Sequence, residues 1–170
     1  LVVDIGSNIG TLLAGFKKYG TKILGIDPAK NIAAMAVKRG IPTIADFFSP
    51  KVAASAKNKY GAAKVAVGTN VFAHVGDHAA FMNGLKVLLA PRGVFIFESP
   101  DLLSLVKNLE YDTVYLEHLL YLSLKPVVQL VKKSGFEVFR VEEYSIHGGS
   151  FRVFMARKGE YKIEPNVARL

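Results

Sequence analysis

The chain of 170 residues contains no cysteine. This absence excludes disulfide bonds, thiolate zinc sites, iron–sulfur clusters and a cysteine nucleophile from the segment, and it fits a reducing compartment. No apolar run approaches the roughly 18 residues of a membrane span, and no segment resembles an export signal. We therefore expect a cytoplasmic protein without a membrane partner.

Acidic residues are also scarce, with 14 Asp and Glu against 22 Lys and Arg and a net charge of +8. A basic chain can bind nucleic acid or a phosphorylated substrate. However, the basic residues are scattered and form no long block, which favours solvated helix faces. We expect a small-molecule substrate and no nucleic-acid partner. The sequence leaves the oligomeric state open.

Internal repeats, low-complexity tracts and domain linkers are absent as well. Apolar residues make up 51% of the chain, which excludes disorder and is enough for one core at this length. The sequence has no initial Met and starts inside an apolar run. We interpret residues 1–170 as one domain excised from a longer polypeptide.

Short apolar runs alternate with helix-like stretches along the chain. Strands are predicted at residues 1–5, 22–26, 43–45, 64–67, 94–97, 137–143 and 151–156. Helices are predicted at residues 11–19, 29–39, 52–60, 79–89 and 126–133, with a mixed, largely helical stretch at 102–124 and a turn at 90–93. This alternation indicates an α/β, doubly wound, mostly parallel seven-stranded sheet with an antiparallel edge strand. Ligands of such sheets bind beyond the carboxyl ends of the strands.

The first strand leads into a glycine-containing turn. The dinucleotide fingerprint fails twice, because Asn8 and Thr11 stand where it requires glycine. The pattern acid-x-Gly-x-(Gly or Asn)-x-Gly fits instead, with Asp4, Gly6, Asn8 and Gly10. A turn of this kind can hold an amino-acid moiety rather than a pyrophosphate.

Polar residues follow the next strands in order. Asp27 is placed to accept hydrogen bonds from both hydroxyls of a ribose, while Asp46 and Phe47 offer a carboxylate and an aromatic flank to a purine. An isolated Asp at a strand end is more often a cap or turn residue. Their succession after three strands points to S-adenosylmethionine. Asn70 follows the fourth strand and is assigned to the same cofactor, whereas His74 lies near the expected methyl group or serves packing.

A polar and aromatic cluster occupies residues 115–121. If this stretch is helical, Tyr115 and His118 share a face, which Tyr121 continues, and Glu117 projects to the side. A histidine beside a carboxylate and phenols is a credible general base. The alternative is a core helix whose polar groups are satisfied by the backbone.

A second candidate is the segment at residues 147–150. Its two glycines leave a bare backbone that a ligand can approach, and His147 and Ser150 add polar groups; a simple hairpin turn explains the segment equally well. His78 receives no role. The four histidines lack acidic or thiol neighbours at metal-ligand spacings, so we expect no metal.

These residues resemble the S-adenosylmethionine-dependent C-methyltransferases of nucleotide-linked deoxysugars. The resemblance spans nearly the whole segment. It rests on DIGSN at 4–8, GTLL at 10–13, GIDPA at 25–29, GIPT at 40–43, DFF at 46–48, NVFAHV at 70–75, YLEH at 115–118 with Tyr121 and Ser123, and HGGS at 147–150. It implies the Rossmann-like class I methyltransferase fold.

The resemblance also implies a reaction, in which a base removes the proton next to a sugar ketone and the carbanion attacks the sulfonium methyl group. His118 matches the family's base, with Glu117 and Tyr115 in support and His147 as a secondary acid, base or substrate contact. The family commonly has an acid where this chain has Ile9. Its cysteine-rich zinc region and its further domain are absent here, so no zinc site is carried over.

Other functions share the cofactor half. In an O- or N-methyltransferase the substrate hydroxyl or amine is already nucleophilic, so the reaction would not require the base that the cluster at 115–118 offers. A nucleic-acid methyltransferase is disfavoured, because no Asn/Asp-Pro-Pro-aromatic segment follows the fourth strand. A catalytically silent S-adenosylmethionine-binding module is the remaining alternative, against which the retained Glu117 and His118 argue.

Overall fold

The computed structural model describes residues 1–168, apart from the side chains of residues 111, 147 and 168. The strands are β1 (Val2–Ile5), β2 (Ile23–Ile26), β3 (Thr43–Ile44), β4 (Ala63–Thr69), β5 (Leu89–Pro100), β6 (Phe136–Tyr144) and β7 (Ser150–Arg157). The helices are α1 (Thr11–Lys17), α2 (Lys30–Lys38), α3 (Pro50–Tyr60), α4 (His78–Leu88), α5 (Leu102–Asn108), α6 (Leu124–Lys133) and α7 (Pro165–Ala168). Among the described residues, no helix is long and apolar enough to cross a bilayer.

The strands form one seven-stranded sheet in the order β3-β2-β1-β4-β5-β7-β6. β1 pairs in parallel with both β2 and β4, and β2 pairs in parallel with β3. β6 and β7 are antiparallel and stand at one end of the order. The predicted fold class, a mostly parallel sheet finished by an antiparallel pair, is confirmed.

The chain divides into two compact units. The first unit comprises residues 1–68 and 78–95, and the second comprises residues 69–77 and 96–170. In the first unit the four residues of β1 and the four of β2 are all buried, as expected for parallel strands covered on both faces. In the second unit the β6–β7 pair carries alternating buried positions together with an irregularity between Val138 and Arg140.

The stretch at 102–124 departs from its prediction. Helix α5 ends at Asn108, because the next residue, Leu109, adopts a left-handed conformation with φ 55°. A short 3₁₀ helix follows at Tyr111–Thr113, and no α-helix forms before Leu124. The mixed, largely helical interpretation was therefore wrong for residues 114–123. Helix α5 has no buried residue, so no apolar stripe extends the helix through packing.

Strand β5 is longer than predicted and takes in the predicted turn at 90–93. The chain still bends there, since Arg92 has φ 54°. A Cβ on Gly93 would lie 2.8 Å from the carbonyl oxygen of Ala90, so the backbone returns closely on itself. The predicted bend at residues 90–93 is present. It lies inside strand β5, however, and does not precede the strand as predicted.

Candidate active site

In the first unit, the carboxyl ends of three strands meet at one edge of the sheet. Ile5 pairs with Ile26, and Ile26 pairs with Ile44, so β1, β2 and β3 end side by side. The residues that follow them include Gly6, Asp27 and Asp46. The structure therefore brings together the predicted cofactor residues of the first three strands.

The turn after β1 is held by Asp27. The backbone N–H of Asn8 donates to one carboxylate oxygen at 2.8 Å, and that of Ala29 donates to the other at 3.0 Å. Each oxygen keeps a further lone pair for a ligand hydroxyl. Asp27 is thus a clamp for the turn as well as a candidate ribose contact, a double role that sequence reasoning missed.

Left-handed backbone shapes the same turn. Gly6, Asn8 and Gly10 have φ values of 72°, 49° and 77°. At Gly10 a Cβ would also lie 2.8 Å from the Ile41 side chain, so a larger residue is excluded on two grounds. The glycine pattern in the sequence has a conformational cause at this position.

A buried carboxyl group lies under the turn. Asp4 is 4% exposed, and burial together with the charge of Asp27 raises its pKa to about 7. Ser7, three residues further along the chain, has a buried hydroxyl group that finds no hydrogen-bond partner among the described residues. The turn therefore combines negative charge with an unsatisfied polar atom.

The two phenylalanines after β3 have different environments. Phe48 is half-buried and packs edge-on against the buried Phe81 at a ring-centroid distance of 5.0 Å. Phe47 is 75% exposed. Its backbone N–H donates to the Asp46 carboxylate at 2.8 Å. Phe47 is the aromatic side chain of this pair that a purine can reach.

In the second unit, His118 lies at the centre of a hydrogen-bonded cluster. Its Nδ1 is 2.9 Å from the carbonyl oxygen of Thr113, and its Nε2 is 2.9 Å from the Tyr115 hydroxyl. A carbonyl oxygen only accepts, so Nδ1 carries the proton. In the neutral ring Nε2 then accepts from Tyr115.

The approach of Tyr115 to His118 comes from a turn and not from a helix. The His118 N–H donates to the Tyr115 carbonyl at 3.1 Å, and the two ring centroids are 4.1 Å apart. Tyr121 adds an edge-on contact to the imidazole at 6.0 Å. The three-residue spacing correctly predicted a contact between Tyr115 and His118. The predicted helix was wrong, because a turn brings the two side chains together.

Glu117 does not hold the imidazole with its carboxylate, which is exposed and has no hydrogen bond to the described residues. Its backbone carbonyl accepts a hydrogen bond from Nδ1 of His74 at 2.6 Å. The His74 and His118 rings are 4.9 Å apart. His74, for which the sequence left packing open, is thus part of the cluster.

The segment that carries His74 is fixed from both sides. Phe72 is fully buried and stacks on Phe97 at 4.5 Å, and the Leu120 N–H donates to the Ala73 carbonyl. Asn70 has φ 55°, its N–H donates to the Glu98 carbonyl, and its side-chain oxygen is buried without a partner among the described residues. Asn70 thus has a free acceptor, as a ligand contact requires.

The turn at 147–150 packs against helix α5. A Cβ on Gly149 would lie 2.5 Å from the Ser104 side chain, and Asn108 donates to the Gly148 carbonyl at 2.8 Å. The Ser150 hydroxyl donates to the Ile146 carbonyl at 2.9 Å. The glycine side of this turn is therefore approached by protein side chains. The His147 side chain, a predicted site residue, lies outside the described part of the structure.

The fold is that of the class I S-adenosylmethionine-dependent methyltransferases. One similar solved structure is a methyltransferase from Archaeoglobus fulgidus, with a TM-score of 0.75, 13% identity, and coverage of 92% of this chain and 85% of that one. Another is magnesium protoporphyrin IX methyltransferase from Synechocystis PCC 6803 with bound S-adenosylhomocysteine. It has a TM-score of 0.66, 16% identity, and coverage of 93% and 74%.

A family model described as a methyltransferase domain matches residues 2–141. The chain therefore belongs to this family of S-adenosylmethionine-dependent methyltransferases, and S-adenosylmethionine is its cofactor. It is also 38% identical over 171 residues to C-methyltransferase NovU from Streptomyces niveus, with 100% of this chain aligned. The chain spans 41% of the length of that relative.

Proposed function

We propose that residues 1–170 form the catalytic domain of a cytoplasmic C-methyltransferase that acts on a nucleotide-linked keto-deoxysugar. The observation that carries this proposal is the cluster of His118, Tyr115 and His74, which a plain cofactor-binding module does not need. The 38% identity to a C-methyltransferase supports transfer to carbon. The sugar substrate rests on the resemblance at residues 115–118 and 147–150.

The first unit fits S-adenosylmethionine, which supplies an electrophilic methyl group on a positively charged sulfur. Asp4 and Asp27 provide negative charge at the turn after β1, and Gly6, Asn8 and Gly10 shape that turn. We assign the ribose hydroxyls to Asp27. This residue is 8% exposed, and each of its carboxylate oxygens accepts one backbone N–H and keeps a further lone pair.

The remaining cofactor contacts come from three other positions. We assign the adenine to Asp46 and to the exposed face of Phe47. Asn70 is a further polar contact, supported by its unpaired side-chain oxygen.

The second unit supplies the base. Nε2 of His118 accepts from the Tyr115 hydroxyl, so a proton taken from the sugar carbon next to the ketone reaches His118 through the Tyr115 oxygen. The Thr113 carbonyl keeps Nδ1 protonated and favours the imidazolium that forms. Glu117 fixes His74 through its backbone, and His147 is a secondary acid or base.

Proton abstraction distinguishes this function from the alternatives. Neither an O- or N-methyltransferase nor a silent module exchanges a carbon-bound hydrogen of its ligand with solvent. The experiment incubates the chain and S-adenosylhomocysteine with a nucleotide-linked keto-deoxysugar in deuterated water and follows the α-hydrogen by NMR.

The parent chain should incorporate deuterium at the carbon next to the ketone, and His118→Ala should not. Tyr121→Phe is the matched control, since it leaves both hydrogen bonds of His118 in place. If calorimetry shows that the parent chain binds S-adenosylhomocysteine but no deuterium is incorporated, the proposal of C-methyltransferase activity is refuted.

Partners can be tested separately. Calorimetry should show S-adenosylhomocysteine binding more tightly than NAD, because the turn lacks the dinucleotide glycines. Filter binding to RNA and DNA should give only weak, steeply salt-dependent retention. Sequence-specific retention at physiological salt would overturn the small-molecule assignment.

A further inference from the structure

The second unit contains a cavity of about 420 Å³ that neither the proposed cofactor site nor the proposed base occupies. It lies among the start of α5, the end of β6 and the start of β7. Asp101, Ser104, Glu143, Tyr144, Ser145 and Ser150 are among the residues that line it. Its volume falls in the range of about 300–1,000 Å³ that is usual for small-molecule sites.

The lining of this cavity has one chemical character. It offers two carboxylates, from Asp101 and Glu143, and several hydroxyl groups, and none of its described residues is Lys, Arg or His. Carboxylates accept hydrogen bonds from hydroxyl and ammonium groups and repel phosphates. The cavity therefore suits a neutral polyol or an amino sugar and disfavours a diphosphate.

An aromatic wall completes the cavity. The guanidinium of Arg152 lies 4.5 Å from the centroid of the Tyr144 ring and donates to its hydroxyl at 2.9 Å. Arg152 also donates to Glu98 at 2.7 Å, and Glu98 is 8% exposed. These contacts hold the ring of Tyr144, which is one of the residues that line the cavity.

Asp101 links this cavity to the proposed base. One of its carboxylate oxygens accepts from the backbone and the hydroxyl of Ser104 at 3.1 and 3.0 Å. The other accepts no hydrogen bond from the described residues. Asp101 also lines a second, much smaller cavity of about 20 Å³, whose wall includes His118 and Tyr121. The two cavities thus share one residue that has a free acceptor.

We propose that the larger cavity is a subsite for hydroxyl or amino substituents of the deoxysugar, which Asp101 and Glu143 bind, and that Asp101 joins it to the smaller cavity that His118 lines. This inference rests on the proposed function and deepens it. It implies that the diphosphate and the nucleoside of the substrate are held by residues outside this cavity. Specificity for the sugar substituents is then set by the start of α5 and the end of β6.

The test measures binding of three simple probes to the chain saturated with S-adenosylhomocysteine. The probes are methyl glucoside, glucosamine and glucose 1-phosphate, followed at millimolar concentration by saturation-transfer difference NMR. We expect glucosamine to bind at least as tightly as methyl glucoside. Glucose 1-phosphate should bind no more tightly than methyl glucoside, because none of the described residues that line the cavity is a cation.

Two variants remove charge at the subsite. Asp101→Asn keeps an acceptor for the Ser104 N–H, so α5 stays capped, and Glu143→Gln conserves size. Each should weaken glucosamine binding by about fivefold or more, since a hydrogen bond to a charged group is lost. Glu137→Gln, on the same strand but outside the cavity, is the matched control and should have no effect.

Tighter binding of glucose 1-phosphate, or glucosamine binding unchanged in both variants, would overturn the subsite. Deuterium exchange into the keto-sugar is measured in parallel on the same samples. If deuterium exchange persists but the probes do not bind as predicted, the subsite is wrong and the proposed methyltransferase function is retained. Probe binding that follows the prediction supports the subsite whatever the exchange result.

Discussion

The two units of the molecule differ sharply in charge. The first contains 12 Lys and Arg against 3 Asp and Glu, a net charge of +9, whereas the second contains 10 against 11, a net charge of −1. All three acids of the first unit, namely Asp4, Asp27 and Asp46, belong to the proposed cofactor site. Negative charge in this unit is thus confined to the place where a cationic cofactor is expected to bind.

Acids of the second unit serve several purposes. Glu98 pairs with Arg152 at 2.7 Å, Asp101 caps α5, and the Glu117 backbone fixes His74. The comparison teaches that the first unit concentrates its negative charge at one proposed ligand site, whereas the second uses carboxylates for an ion pair and a helix cap. Mutations of the three acids in the first unit should change cofactor affinity, and mutations of the His118 cluster in the second should change turnover.

The largest effect is expected at the proposed base. His118→Ala should lower turnover by at least about 10²-fold, because the proton acceptor is lost. Affinity for S-adenosylhomocysteine, measured by calorimetry, should stay nearly constant, since the residue acts in the transition state. Tyr115→Phe should reproduce much of the loss if the proton passes through the hydroxyl. Full turnover in His118→Ala would move the base to His147.

Cofactor affinity should respond most to Asp27. Asp27→Ala removes the acceptor for two backbone N–H groups and for the ribose, so the dissociation constant should rise by about 10- to 100-fold. Turnover at saturating cofactor should change little. Asp112→Asn, in the second unit, is the control. Unchanged affinity in Asp27→Ala would remove Asp27 from the cofactor site and weaken the comparison of the units.

Stability of the second unit should depend on Gly149. This residue has φ 135°, and a Cβ would meet Ser104 at 2.5 Å, so Gly149→Ala should cost about 1–3 kcal/mol in urea unfolding. Gly159 has φ 81°, and a Cβ there would meet nothing within 4 Å, so Gly159→Ala reports the backbone strain alone. Equal losses in both variants would show that the contact with α5 contributes nothing.

The last predictions concern the pH dependence of the first unit. The folded state keeps the proton of Asp4 up to its raised pKa of about 7, whereas the unfolded chain releases it near 3.8. The free energy of unfolding should therefore fall as the pH rises between these values and level off above pH 7.

Cofactor binding should show the opposite trend at Asp4, because a cation favours the ionised carboxylate. Affinity for S-adenosylmethionine should increase by less than about tenfold between pH 6 and pH 8, as the ionised fraction rises. Calorimetry at both pH values measures it. Asp4→Asn should abolish both dependences, and a slope that persists in this variant would assign them to another group.

Sequence patterns predicted the first unit better than the second. Buried strands such as Val2–Ile5 and Ile23–Ile26 are short apolar runs followed by glycine or Asp-Pro, and these signals are local. The proposed cofactor residues of the first three strands were chosen from strand order alone, because the carboxyl ends of parallel strands share an edge. Patterns of this kind need no knowledge of distant contacts.

Local signals failed in the second unit between residues 109 and 123. Leu109 in a left-handed conformation ends α5, although leucine favours helices. His74 and His118 are separated by 44 positions in the chain, so no spacing rule could pair them. One sequence signal could have indicated this contact: His74 follows β4, at the edge of the sheet where the methyl group of the cofactor was expected.

By itself, then, the amino-acid sequence determined the sheet, the glycine turn, the acids at the strand ends and the proximity of Tyr115 to His118, because each depends on residues close together in the chain. Only the tertiary structure decided which acid holds the turn after β1, which histidine lies beside His118, and that helix α5 fills the space beside Gly149. Those outcomes depend on side chains that pack across long sequence separations, where burial and hydrogen-bond geometry select one arrangement.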